Sequence, residues 1–440
     1  MEGKPFLRSE FLHALQAVEP AALVYSHLKL EESRLLVAGK TTYELDPYDE
    51  IRLFASGKAA VPMARAAMDI MGSYINGGVI IAPEPADIPG LHVLQGDHPI
   101  PTQRSLDAAA ALKQELEAMG ENTLFIYLLS GGSSALMELP AEGLSLEDIN
   151  TAGRVMLESA LPIESVNCIR KHLSAVKGGR LGAATRAKGI VLVLSDVIGD
   201  DLETIGSAPL FCDRSSFAQA RALVETYGMQ TKLPPAVLKH LEEGERGTIP
   251  ETPDTPSSLL PHYLIGSNRI ALESIAAHIQ DSALKIEIVT DRLSGEASEV
   301  ARDLVQNAKK LQSENTKFPC LLIYGGETTV NVKGNGMGGR NQELALAALI
   351  ELGDHPGITL LSGATDGIDG NSDAAGGVID AGSFRLAAEQ GISLQAYLND
   401  NDSYHALKAL GDLIVTGYTG TNVMDIIMVQ IRDPKTTELN

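Results

Sequence analysis

The 440-residue chain is predicted to fold as two α/β domains. Short apolar runs alternate with segments of helical period, and most of the runs end in glycine-rich or acidic turns. Residues 244–261 are crowded with turn formers and charge, and a second alternation begins after them. The elements follow in order. The opening segment reads as an amphipathic helix starting near Ser9 and Glu10. IRLFASGKAAVPMARAAMDIM (51–71) reads as strand, turn and helix. GVIIAP (78–83) and LHVLQGDHP (91–99) read as strands, and the alanine-rich stretch from Ser105 to Met119 as a helix. TLFIYLLSGGSSALM (123–137) is a buried strand feeding a glycine and serine turn, and GIVLVLSDVIGDD (189–201) a continuously apolar strand ending in an acidic loop. Such strands suit a parallel sheet covered on both faces, with ligands near the strands' carboxyl ends. Beyond the boundary, HYLIGSN (262–268) and ALKIEIVTD (283–291) are strands, and PCLLIYGGETTVNVKG (319–334) is read as two close strands. Helix NQELALAALIEL (341–352), strand ITLLSG (358–363) and a strand, loop and strand over 413–431 complete the second alternation.

Thirty-five basic against fifty-seven acidic residues give a net charge of -22. That balance disfavours nucleic-acid backbones and anionic membranes, but a pocket with its own basic lining still suits a small anion. The three cysteines, Cys168, Cys212 and Cys320, form neither a pairing framework nor a metal cluster. With no secretory signal pattern and no apolar run long enough to span a bilayer, a cytoplasmic protein is expected.

Several loops carry candidate chemistry. Gly334, Gly336 and Gly339 have the spacing of a dinucleotide-binding fingerprint, which would bring backbone amides and a helix N-terminus to a phosphate. A tight turn without ligand is the equal alternative. Arg340 follows with a fork suited to phosphate or carboxylate. No complete phosphate loop of the GxxxxGK[ST] type exists, and GKT (39–41) reads as a hairpin turn. Lys58 sits between strand and helix, where it meets an anion or simply solvent. Gly131, Gly132, Ser133 and Ser134 form an anion nest or a flexible turn. Arg170 and Lys177, on one side of a helix, orient an anion or face water. Asp196 and Asp200 mark a magnesium-binding loop or a solvated turn, and Asp366 lies in a second acidic, glycine-rich loop. His98 in GDHP stands beside substrate or serves as a local hydrogen-bonding group.

The ordered set FASGKAA, GDHPIPT, SGGSSAL, VNCIRKHLSAVKGGRL, LSDVIGDD, GGETTVNVKGNGMGGRNQELAL, ATDGIDG and TGYTGTNVMD resembles the type II glycerate 2-kinase family, whose C-terminal portion contains the MOFRL domain. The resemblance covers nearly the whole chain. It implies a Rossmann-like three-layer domain over 1–250, a second MOFRL-type α/β domain over 251–440, and an active site in the interdomain cleft. It implies ATP-dependent phosphorylation of D-glycerate at C2 with Mg2+. Lys58, Arg340 and Asp196 are implied as catalytic, with Asp196 and Asp200 near the metal. Gly131, Gly132, Ser133, Ser134, Arg170, Lys177, Gly334, Gly336, Gly339 and Asp366 are the expected contacts to substrate or phosphate. Ser133 stands where a third glycine is common, Tyr418 where proline is frequent and Thr102 where aspartate is. The expected partner is a small molecule, with no nucleic acid and no membrane; a homodimer is compatible with this reading. A nicotinamide-dependent 2-hydroxy-acid oxidoreductase and a non-catalytic nucleotide- or glycerate-binding protein remain the alternatives.

Overall fold

The computed structural model describes residues 3–280, 283–314 and 318–434. Two compact units emerge, Pro20–Ile265 and Met1–Glu19 with Gly266–Asn440.

In the first unit, β1 (Leu28–Glu31), β2 (Arg34–Val37) and β3 (Thr41–Glu44) make a small antiparallel sheet, and the GKT segment lies at its second hairpin. The main sheet contains β4 (Glu50–Ser56), β5 (Val79–Ala82), β6 (His92–Gln95), β7 (Thr123–Leu129), β8 (Lys188–Leu194) and β9 (His262–Gly266) in the order β6-β5-β4-β7-β8-β9. The pairings from β6 through β8 are parallel. This is the strand order of a doubly wound nucleotide-binding fold, whose two halves diverge between β4 and β7. Every residue of β7 is buried, because successive side chains point to opposite faces and both faces are covered. Phe54, Phe125 and Tyr127 share one cluster with Ala108, Ala109 and Leu112 of the helix Gln103–Ala118. The helix Ala60–Met71 packs on β4, β5 and β7 and buries Met63, Ala64 and Ala67. Thr102 is the N-cap of the helix Gln103–Ala118 and hydrogen-bonds Asp97.

The second unit holds β10 (Lys285–Leu293), β11 (Cys320–Gly326), β12 (Ile358–Ala364), β13 (Gly376–Asp380), β14 (Leu413–Ile414) and β15 (Asp425–Ile431), ordered β10-β11-β15-β12-β13-β14. Among these strands β10 and β11 pair in parallel, and the other pairings described are antiparallel. The fully buried β15 runs between β11 and β12, with its first residue, Asp425, opposite Gly326 and Ala364.

Two sequence expectations change here. The first helix runs Gly3–Ala17, starting well before Ser9, and its apolar face packs on β12, β13 and β15. Its early turns are held by Lys4, whose ammonium donates to Ser383 Oγ at 2.6 Å and Asp412 Oδ1 at 2.5 Å, contacts remote in sequence. The segment 319–334 supplies one strand, not two, because β11 ends at Gly326, Thr329 makes only an isolated bridge with Glu296, and the amides of Lys333 and Gly334 bond the Asn401 side chain.

Candidate active site

The loops at the carboxyl ends of β4, β7 and β8 meet at the point where the sheet's two halves diverge. Gly57, at φ +122, packs so closely on Ser130 that a Cβ would overlap it. The Lys58 N–H then donates to Gly131 O at 2.9 Å, and the Ala59 N–H to Ser130 Oγ at 3.1 Å. Gly132 adopts φ +81, and a Cβ there would lie 3.0 Å from Lys58 Cγ and 3.4 Å from His98 Cδ2. A Cβ on Gly131 would overlap the Asp196 carboxylate. The glycines are needed because Lys58, His98 and Asp196 crowd the backbone from three sides.

The backbone amides of Gly131, Gly132, Ser133 and Ser134 donate to no protein acceptor among the described residues. Consecutive unengaged amides beside an ammonium form an anion cradle. The hydroxyls contribute differently from expectation. Ser133 is buried with its Oγ 2.6 Å from Ser56 Oγ, and Ser134 Oγ lies 2.8 Å from Ser207 Oγ. Both side chains hold the scaffold, which leaves the amides as the donors.

Burial raises the Asp196 carboxyl above its ordinary range, opposed by its own amide and by Lys58. Burial also lowers the His98 imidazole, reinforced by the charge of Lys58. The Lys58 ammonium makes no hydrogen bond or ion pair with the protein among the described residues.

Gly132, His98 and Asp196 open onto a cavity of about 1250 Å³ whose lining residues, Arg170 and Lys177 among them, all belong to Pro20–Ile265. The expected shared helix for these two cations ends at His172, so Lys177 reaches the cavity from the turn beyond it. Lys177 is buried, not solvated, and is paired with buried Glu138; burial lowers its pKa against the opposing pull of that carboxylate. Burial likewise lowers Arg170, and Glu138 opposes it through space. Among the described residues no side chain or carbonyl hydrogen-bonds the Arg170 guanidinium. Asp200 lies on a turn at φ +55, its amide bonded to Val197 O. No group of three or more His, Cys, Asp or Glu among the described residues is placed to hold a metal.

The glycine-rich loop of the second unit is built otherwise. The amides of Lys333 and Gly334 donate to Asn401 Oδ1, that of Asn335 to Asp400 Oδ1, that of Gly336 to Asp400 O and that of Met337 to Asp402 Oδ1. Asp369 accepts from the amides of Asn341 and Gln342 at the head of the helix Arg340–Leu352. The loop amides from Lys333 to Met337 are thereby engaged within the chain. Gly334 and Gly336 are glycine because Asp400 and Asp402 press on their Cα atoms, and Gly339 because Asp369 does. Moreover, β11 ends at Gly326, whereas the dinucleotide fingerprint requires its strand immediately before the first glycine.

The Arg340 fork is also engaged, with Nε 2.6 Å from Asp425 Oδ2, Nη2 2.9 Å from Asp425 Oδ1 and Nη1 2.6 Å from Glu327 Oε1. Burial lowers its pKa, but Asp425 and Glu327 outweigh that and hold it above its ordinary value. Asp369 is pushed up to about 6 by burial, against the amides of Gln342 and Asn341 and with help from Asp425. Asp366 accepts the Ile368 amide at 3.1 Å in the loop after β12, where its charge adds to burial in raising Tyr418. Sequence reasoning missed Glu138 and Asp425. An acid directly before the apolar run of β15, or directly after the apolar Ala135–Met137, was the available signal.

A doubly wound sheet with free amides, a lysine and a carboxylate at its switch point defines an α/β enzyme that handles a phosphate-bearing ligand. Residues 6–242 match a family described as a domain of unknown function, DUF4147, and residues 320–425 match the MOFRL family. The chain is 37% identical over 420 residues to a glycerate 2-kinase of Pyrococcus horikoshii, covering 94% of each chain. It is 40% identical over 386 residues to a D-glycerate 2-kinase of Thermotoga maritima, covering 86% of this chain and 90% of the relative. A relative from Agrobacterium vitis, 36% identical over 440 residues and covering 98% of this chain and 95% of its own, carries a provisional hydroxypyruvate reductase name. The crystal structure of a glycerate kinase from Thermotoga maritima superimposes with a TM-score of 0.85 at 36% identity, covering 97% of this chain and 98% of that one. The chain belongs to the glycerate kinase family with a C-terminal MOFRL domain.

Proposed function

We infer that this chain transfers the terminal phosphoryl group of ATP to the C2 hydroxyl of D-glycerate, giving 2-phosphoglycerate and ADP. The observation that carries the reading is the conjunction at one strand-end crevice of unengaged amides at Gly131–Ser134, the unpaired ammonium of Lys58 and the carboxylate of Asp196. Phosphoryl transfer proceeds through a loose transition state, so placement and charge stabilisation are most of what a protein must supply. The four amides and Lys58 meet the equatorial phosphate oxygens. Arg170, free of hydrogen-bonded protein partners, binds the glycerate carboxylate with its planar fork, a role that the engaged fork of Arg340 is less suited to take. Asp196, whose carboxyl burial raises above its ordinary range, accepts the hydroxyl proton or holds the metal in this reading.

A magnesium ion, when bound, would neutralise charge on the nucleotide oxygens. Asp196 fits as one oxygen donor to it, because magnesium keeps waters and phosphate oxygens as its other ligands; Asp200 is half-buried on the turn after β8. Among the described residues no helix is long and apolar enough to cross a membrane, and we place the activity in the cytoplasm on a small-molecule substrate.

The test is product identification with purified protein, ATP, Mg2+ and D-glycerate. Glycerate-dependent ADP and 2-phosphoglycerate are expected, with no change in nicotinamide absorbance when NADH and hydroxypyruvate replace them. Redox turnover without phosphoglycerate would transfer the chain to the oxidoreductase reading, and binding of both ligands without turnover to a non-catalytic one.

A further inference from the structure

The cavity is much larger than glycerate needs. Its volume of about 1250 Å³ exceeds the roughly 300–1,000 Å³ common for small-molecule pockets. Its lining also changes character along the wall formed by the helix Leu146–Glu158. One face of that helix buries Ala152, Val155 and Met156 in the cluster around Phe217 and Val237. Leu146 and Leu157 lie off that face and line the cavity, joined by Ile163 at the start of the next helix and by Ile100. Leu157 is 72% exposed, Ile100 63% and Ile163 58%. Asn150 donates to Pro101 O at 3.2 Å and so fixes this helix to the segment carrying Ile100. Large aliphatic side chains left this exposed around one cavity mark a contact surface.

We propose that this aliphatic lobe receives the adenine ring of the nucleotide, so that one cavity of the first unit takes both the base and the phosphates. The proposal rests on the phosphotransferase reading above. All three carbons of glycerate carry oxygen, so an aliphatic surface has nothing to offer that substrate. The base is the one broad, flat, weakly hydrated part of the two substrates, and the lobe is continuous with the amide cradle at Gly132. Gly153 faces the same cavity, with nothing nearer a Cβ position than Arg170 Nη2 at 4.0 Å. At Gly153, therefore, the helix wall bears no side chain, while Asn150 and Arg154 of the same helix also line the cavity.

The test is the double variant L157S/I163S, whose sites are exposed and so should leave folding intact. Calorimetry would compare wild type and variant for a non-hydrolysable ATP analogue and for inorganic tripolyphosphate. We expect the variant to bind the analogue roughly tenfold more weakly, as two lost apolar contacts imply. Tripolyphosphate affinity and the KM for D-glycerate should stay within about twofold. Unchanged analogue binding overturns the proposal, as does an equal loss for tripolyphosphate. A rise in the glycerate KM in place of the nucleotide effect overturns it too, and assigns the lobe to the acceptor. If wild type makes no phosphoglycerate while the analogue alone responds to the substitutions, the base site stands and the proposed reaction falls.

Discussion

Replacing Lys177 by methionine isolates the energetics of the cavity's buried charge. Lys177 is 1% exposed and Glu138 3%, so the two charges have little water to fall back on. Without the ammonium, Glu138 keeps the Ser174 hydroxyl at 2.7 Å and the Leu139 amide at 3.0 Å, but no counter-charge in contact. Breaking a buried pair from one side costs about 3–5 kcal/mol, whereas removing both charges with similar volume is often close to neutral. K177M should therefore lose about 3–5 kcal/mol, and E138Q/K177M should recover most of it. With a urea slope of about 3 kcal/mol per molar, the K177M midpoint falls by about 1 to 2 M. The chain has no tryptophan, so far-UV circular dichroism is the readout. A K177M loss below about 1 kcal/mol, or a double variant less stable than the single, would refute the account of a desolvated pair.

Three further predictions address separate parts of the molecule. K58A should lower kcat roughly 100-fold, in line with removal of one charge-stabilising group, without moving the thermal midpoint; turnover near wild type would remove Lys58 from the phosphate site. R340K keeps the charge but loses the fork on Asp425, and should destabilise the unit by about 2 kcal/mol as measured by denaturation; full stability with lost turnover would show instead that the fork acts on substrate. Burial pushes the Asp369 carboxyl up to about 6, above the ordinary aspartate range, so the fold binds its proton more tightly than the unfolded chain does. The associated stabilisation is present below about pH 4 and is lost as pH rises through about 6, a change of about 3 kcal/mol. D369N should flatten that part of the pH–stability curve, and an unchanged slope in the variant would exclude Asp369 as its source.

The sheet-forming runs were legible because burial on both faces demands unbroken apolar stretches, as in TLFIYLL and GIVLVL. The loops beside them were legible as places where chemistry belongs, and Lys58, Gly131, Gly132 and Asp196 do converge. Their chemical use was less legible. The glycine fingerprint at Gly334, Gly336 and Gly339 looks from spacing alone like a phosphate cradle, yet Asp400, Asn401, Asp402 and Asp369 take its amides. Lys177 looks like a surface residue of a basic helix and is instead buried against Glu138, thirty-nine positions away.

Local patterning, then, determined which segments become strands and helices, and that strand-end turns would carry the polar groups, since periodicity and turn chemistry act over a few residues. Only the folded chain decided which amides stay free and which cations stay unpaired. A hydrogen-bond donor is available to a ligand only if no acceptor from elsewhere in the chain reaches it first, and Asp425 reaching Arg340 across eighty-five positions is a contact that local spacing cannot encode.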